Sequence, residues 1–197
     1  MSNALRVLSV NVAEARPLDV GENRRVQSAI GKRGVSGAVA VGRLGLAGDE
    51  QADPTVHGGL DKAIYAYPSE HYAFWQTVRA QARVAPWDEA LPHGFMGENL
   101  TLAGLREGQL WIGDVLRFPH CVLAVAAPRQ PCYKFNAVMG FNQASKLMLQ
   151  SGYCGVYLAV REPGTIAAGE TGELQPGPRE VGIPELFRAV MGRHRRD

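Results

Sequence analysis

Cys132 lies in the segment Ala127-Pro-Arg-Gln-Pro-Cys-Tyr-Lys134. Arg129 and Lys134 flank it, and nearby cations favour the thiolate, the form that attacks electrophiles and ligates soft metals. Pro128 and Pro131 stiffen the backbone on either side. Cys121 and Cys154 differ, because each opens an apolar run, the setting of a buried and inert thiol. A second group is His57-Gly-Gly-Leu-Asp-Lys62, preceded by Gly48-Asp49. Paired glycines permit close backbone approach or a positive-φ turn, and His57 and Lys62 bring donors to the same loop. Such a loop can hold a phosphate, a pterin edge or a carboxylate; it can equally be a charged surface turn with Asp61 facing Lys62. Third comes Gly97-Glu-Asn-Leu100. Asn99 offers both donor and acceptor to a heterocycle, although the segment also reads as a plain turn entering a strand.

Other features read as structure rather than chemistry. His71, Tyr72, Phe74 and Trp75 fall on a helical stretch and read as core or surface. Arg193-His-Arg-Arg196 reads as a short solvated tail. No G-x-S-x-G elbow is present, and nothing local places His57 beside Cys132 as a thiol-protease pair.

The elements that must position these groups follow from composition and pattern. The chain has 197 residues, one domain by length. A net charge of +2 excludes a strongly basic nucleic-acid-binding theme. The 23 glycines and 12 prolines have no fixed period and punctuate short apolar runs, which argues for many turns and many short strands. No apolar run is long enough for a membrane span, and the N-terminus lacks a secretory pattern. Three cysteines, without a CxxC pair, suit a reduced cytoplasmic setting and argue against structural zinc.

Strands are expected at 5–12, 36–43, 63–67, 109–118, 121–126 and 154–160, with a hairpin-like pair over 165–175 and a polar loop over 13–34. A helix capped by Ser69 should run to about residue 83. Asn142 should cap a short helix closed by Gly152, and Pro184 should open a terminal helix. Seven short strands and three short helices fit a β-barrel better than βαβ units. Neither G-x-G-x-x-G opening a helix nor a P-loop occurs.

Read in order, several segments resemble the MOSC domain family, named for the C-terminal domain of molybdenum cofactor sulfurase. They are Gly48-Asp49-Glu-Gln-Ala-Asp53, Val56-His-Gly-Gly-Leu-Asp-Lys-Ala63, Tyr67-Pro-Ser-Glu-His-Tyr72, Gly97-Glu-Asn-Leu-Thr101, Ile112-Gly-Asp114 and Pro128-Arg-Gln-Pro-Cys132. The likeness is strongest to the stand-alone bacterial branch that includes the 6-N-hydroxylaminopurine resistance protein. It implies a mainly β fold, a MOSC-type barrel with a few short peripheral helices. Residues 1–180 would form the domain, and 181–197 a short helix and basic tail.

The resemblance also implies a molybdenum–pterin cofactor with Cys132 as metal ligand. His57, Lys62, Asn99, Arg129 and Lys134 would stand beside it, with His57 also a proton donor. The implied chemistry is reduction of small N-hydroxylated compounds, N–OH to N–H, fed by a flavin reductase-type partner in the cytoplasm. No nucleic acid or membrane is implied, and the pattern leaves room for a homodimer. Two alternatives use the same residues: a sulfur carrier or transferase with a Cys132 persulfide, and a non-catalytic cofactor-binding module. A weaker one is a pyridoxal-phosphate site with Lys62 or Lys134 as Schiff base.

Overall fold

The computed structural model describes residues 5–52 and 58–193. Its strands are β1 (Leu5–Val12), β2 (Arg16–Asp19), β3 (Arg25–Ser28), β4 (Arg33–Val35), β5 (Val39–Gly42), β6 (Gly45–Leu46) and β7 (Ile64–Pro68). Further along come β8 (Leu100–Ala103), β9 (Val115–Arg117), β10 (Val122–Pro128), β11 (Val156–Glu162), β12 (Gly164–Ile166) and β13 (Thr171–Gln175). The helices are α1 (Tyr72–Gln81), α2 (Tyr133–Met139), α3 (Ala144–Ser151) and α4 (Ile183–Arg193). Among the described residues no helix is long and apolar enough to cross a membrane.

Seven strands close into a barrel in the order β13-β9-β10-β11-β7-β8-β1, and β1 returns to β13 through Leu5↔Gly172. Closure leaves no exposed edge in this ring. Among the described residues only β7 and β8 run parallel, with Ala66 opposite Leu100. A parallel pair needs a long crossover, and α1 with the loop after it supplies one. β4 adds to one end of β1, β12-β5-β6 form a small second sheet, and β2-β3 form a separate hairpin.

Apolar alternation explains β1 once a bulge is included. Leu5 and Val7 point inward, the register to β8 shifts between Val7 and Ser9, and Val10 then points inward. The bulge resets the two-residue phase, so the sequence alternates only in part. Leu100, Leu116, Leu123 and Leu158 complete the barrel interior. A second apolar layer lies between the barrel wall and the helices, around Tyr67, Trp75, Met96, Phe135, Met139 and Met148. Trp75 meets Phe135 edge to face at 5.1 Å, and its Nε1–H donates to Tyr67 Oη at 2.6 Å. Of α4, Ile183 is buried with the barrel interior and Phe187 with the second layer.

Several local expectations are corrected. Residues 13–34 hold three short strands rather than a loop. Over 109–118 only Val115–Arg117 is a strand, because the chain turns through Gly113 at φ 88°. The 165–175 hairpin does not form: β12 pairs with β5, while β13 pairs with β9 and β1. Ser69 caps nothing; Ser69–His71 make a 3-10 turn leading into α1. Asn142 does not cap α3; Asn136 Oδ1 accepts the Ser145 N–H instead, at 2.7 Å. The expected Gly152 stop is present, with φ 73°. Helix α2, directly after Cys132, is an addition to the expected set.

Leu116 is fully buried in the barrel. Leu116→Ala should destabilise the fold by about 2–5 kcal/mol, the usual cost of a core cavity. Denaturant titration of the two proteins checks this.

Candidate functional site

Separate segments meet at one cleft. The stretch after β3 brings Ile30 and Lys32, the segment after β6 brings Asp49, and the 3-10 turn Leu60–Lys62 brings Lys62. β7 contributes Tyr65, the loop before β8 contributes Asn99, and β11 contributes Tyr157. Arg129 and Cys132 follow β10, and Lys134 lies in the first turn of α2. The cleft encloses about 650 Å³, including the part open to solvent, a size suited to a small organic ligand. Among the described residues, four cations (Lys32, Lys62, Arg129, Lys134) line it against two carboxylates, Asp49 and Glu50.

Asp49 organises one wall. Its Oδ1 accepts from Lys32 Nζ at 2.5 Å and from the Ala13 N–H at 2.9 Å. Its Oδ2 accepts from Asn99 Nδ2 at 2.8 Å. Asn99 gives its other amide hydrogen to Asn11 O at 3.3 Å, and its Oδ1 accepts the Tyr65 N–H at 3.0 Å. Both amide hydrogens of Asn99 are therefore donated within the protein.

Arg129 organises the floor. It is buried, and its guanidinium lies 5.1 Å from the ring centres of both Tyr65 and Phe135. Its Nη1 approaches Met148 Sδ at 3.6 Å. Among the described residues no carboxylate pairs with it. Burial alone acts to lower its pKa, but Tyr65, Cys132 and Tyr157 outweigh this and push it up. A buried guanidinium held against aromatic faces keeps donors that can bond an anion.

The three thiols divide as expected from sequence. Cys132 is half-buried and lines the cleft, whereas Cys121 and Cys154 are buried in the two apolar layers. Burial pushes the Cys121 thiol up to about 12 and raises that of Cys154 as well. Cys132 O accepts from Ser145 Oγ at 2.9 Å and from the Phe135 N–H at 2.9 Å, which ties it to α2 and α3.

Residues 53–172 match the MOSC domain. The chain belongs to the MOSC domain family. This MOSC chain is 38% identical to the uncharacterized protein YflK of Bacillus subtilis, over 95% of its own length and 80% of that protein's. It is 37% identical to protein YiiM of Escherichia coli, over 80% of its own length and 68% of that protein's. A protein named reductase from Gibberella moniliformis is 32% identical over 78% of the chain, which spans 26% of that protein. The crystal structure of YiiM from Geobacillus stearothermophilus superposes with a TM-score of 0.75 at 30% identity, covering 98% of this chain and 86% of that one. The mainly β barrel with short peripheral helices is thus the fold of this MOSC domain and of that relative.

Of the sequence-derived candidates, Lys62, Asn99, Arg129, Cys132 and Lys134 all line the cleft of the MOSC domain. His57 lies outside the described residues. Lys32, Asp49, Tyr65 and Tyr157 join the cleft without having been singled out as site residues. Lys32 sits among exposed arginines in sequence, with nothing local to distinguish it; Asp49 was visible as part of Gly48-Asp49. Lys134 Nζ also donates to Gln27 O at 3.2 Å, which ties the β2-β3 hairpin to α2. Lys62 Nζ lies 5.8 Å from the Tyr157 ring centre.

Two outcomes follow. In native protein at mildly alkaline pH, iodoacetamide should modify Cys132 and leave Cys121 and Cys154 untouched, as read by peptide mass spectrometry. Asp49→Ala strands the Lys32 charge in a buried setting and should cost about 3–5 kcal/mol of stability. Adding Lys32→Met should recover part of that loss in a denaturant titration.

Proposed function

We propose that the cleft holds a molybdenum–pterin cofactor with Cys132 as metal ligand, and that the protein reduces N-hydroxylated compounds with electrons from a separate reductase. The carrying observation is the pairing of a cleft-lining thiol, Cys132, with a buried Arg129 that has no carboxylate partner among the described residues. The donor set suits such a group. A thiolate is a soft ligand for an oxidised transition metal. Arg129 matches a planar or phosphate anion, and Lys32, Lys62 and Lys134 add positive charge at the walls. The name of the Gibberella relative, reductase, supports an oxidoreductase reading.

When bound, the cofactor supplies the two-electron chemistry. In the net reaction the N–O bond breaks, an N–H bond forms, and oxygen leaves as water, with two electrons and two protons taken up. The chain's own residues bind, orient and deliver protons. Arg129 holds the anionic portion of the ligand against the floor. Asn99, its amide hydrogens already donated, acts by fixing Tyr65 and Asp49 rather than by direct donation. His57 is assigned as proton donor to the departing oxygen, because imidazole titrates near neutral pH. Electrons come from a flavin reductase-type partner in the cytoplasm.

Wild-type protein from a cofactor-competent host should carry stoichiometric molybdenum and pterin and should reduce N-hydroxylated purines when a flavin reductase is supplied. Cys132→Ala should lose the metal–sulfur signal in X-ray absorption together with the activity. Full activity in that variant would overturn the assignment. A persulfide on Cys132 in protein devoid of pterin would put sulfur transfer in its place, and bound cofactor without turnover would leave a binding module.

A further inference from the structure

His71 and Glu107 form a buried pair outside the cleft. His71 Nε2 lies 2.7 Å from Glu107 Oε2, and each side chain is 6% exposed. Burying two such groups is costly unless every polar atom finds a partner. Besides an edge-to-face contact of His71 with the Tyr67 ring at 5.9 Å, the pair meets one short segment, residues 153–155, which joins α3 to β11 and belongs to neither. The Gly155 N–H donates to Glu107 Oε1 at 2.7 Å. The Tyr153 ring lies flat on His71, with ring centres 3.8 Å apart and planes 10° from parallel.

The carbonyls of this segment point back toward the cleft and its support. Tyr153 O accepts from Tyr67 Oη at 2.9 Å, and Cys154 O accepts from Tyr65 Oη at 2.8 Å. Gly155 O faces the Arg129 N–H at 3.4 Å. Tyr65 and Arg129 both line the cleft, and the guanidinium stands over the Tyr65 ring. The segment has little room to relax. Gly155 sits at φ 66°, and a Cβ there would come within 2.6 Å of Ala66 O.

We propose that His71 and Glu107 are a positioning pair for the cleft. Acting through residues 153–155, they set where Tyr65 and Arg129 stand, and hence how tightly the cleft holds its anionic ligand. The identity of that ligand rests on the cofactor reading above; the mechanical link does not. Side chains that orient ligating groups from behind are typically worth ten- to a hundredfold in affinity.

The test compares full-length wild type, Glu107→Ala, Glu107→Gln and Leu116→Ala from a cofactor-competent host. Two quantities are read: NMR hydrogen exchange at the Gly155 and Arg129 amides, and molybdenum per chain after dialysis. Glu107→Ala should speed exchange at both amides by at least about tenfold, since a local clamp is lost. Its molybdenum content should fall about ten- to a hundredfold. Glu107→Gln keeps an acceptor oxygen for Gly155 and should restore both readings. Leu116→Ala, destabilised elsewhere in the barrel, should retain molybdenum. If Glu107→Ala does not fold, Tyr153→Leu, which removes the ring stacked on His71 and its edge contact with Phe74, should give the same two losses in weaker form.

Wild-type exchange and molybdenum in Glu107→Ala would overturn the proposal. So would equal molybdenum loss in Leu116→Ala, which would reduce the effect to general stability. Wild-type protein without molybdenum would sink the cofactor reading instead, while the exchange measurement still decides the positioning role.

Discussion

The cleft depends on one carboxylate. Asp49 accepts hydrogen bonds from Lys32, Asn99 and the Ala13 backbone, and so joins three stretches that are distant in the chain. Asn99 extends the link to β7, because its backbone N–H donates to Tyr65 O at 2.8 Å while its side-chain oxygen accepts the Tyr65 N–H. A buried ion pair contributes little net stability once both ions are stripped of water. What it supplies is a unique geometry, since every alternative arrangement leaves a charge unpaired. The wall of the cleft is set by that constraint more than by apolar packing.

The neighbouring Glu98 has a different duty. It is fully buried and accepts from the Gly94 and Met96 N–H groups, from Thr101 Oγ1 and from Tyr72 Oη. Burial pushes its carboxyl up, and these donors work against that shift. Glu98 thereby folds the Gly94–Asn99 loop onto α1 and β8. Gly97 completes the loop: it has φ 84°, and a Cβ would lie 2.6 Å from Cγ1 of the cleft residue Ile30. Adjacent residues in Gly97-Glu-Asn-Leu100 thus split the work, Glu98 fixing the loop and Asn99 fixing the wall.

Much of the fold was legible where a single strand or helix buries one face. β1, β7 and α4 were readable because their apolar residues repeat locally. The β2-β3 hairpin was not, because most of its residues are exposed and carry no alternation. The 165–175 hairpin failed for another reason. Nearness in the chain suggests pairing, but β13 is needed to close the barrel against β1, and β12 is drawn to β5. Of the site, Cys132, Arg129, Lys134, Lys62 and Asn99 stood out by residue type and motif. Lys32 and Tyr157 did not, because each looks like an ordinary surface or strand residue until its neighbours are known.

The sequence by itself determined the class of fold and the family likeness and set Cys132 apart from the other two thiols, because these rest on residue types and short spacings that chemistry constrains locally. The tertiary structure alone decided which cations share the cleft, that Arg129 is buried without a carboxylate partner among the described residues, and that a remote His71–Glu107 pair reaches the cleft through residues 153–155. The physical reason is that burial and pairing are properties of surroundings. A charge is worth little in water and a great deal inside a protein, and only the folded chain shows which of the two applies.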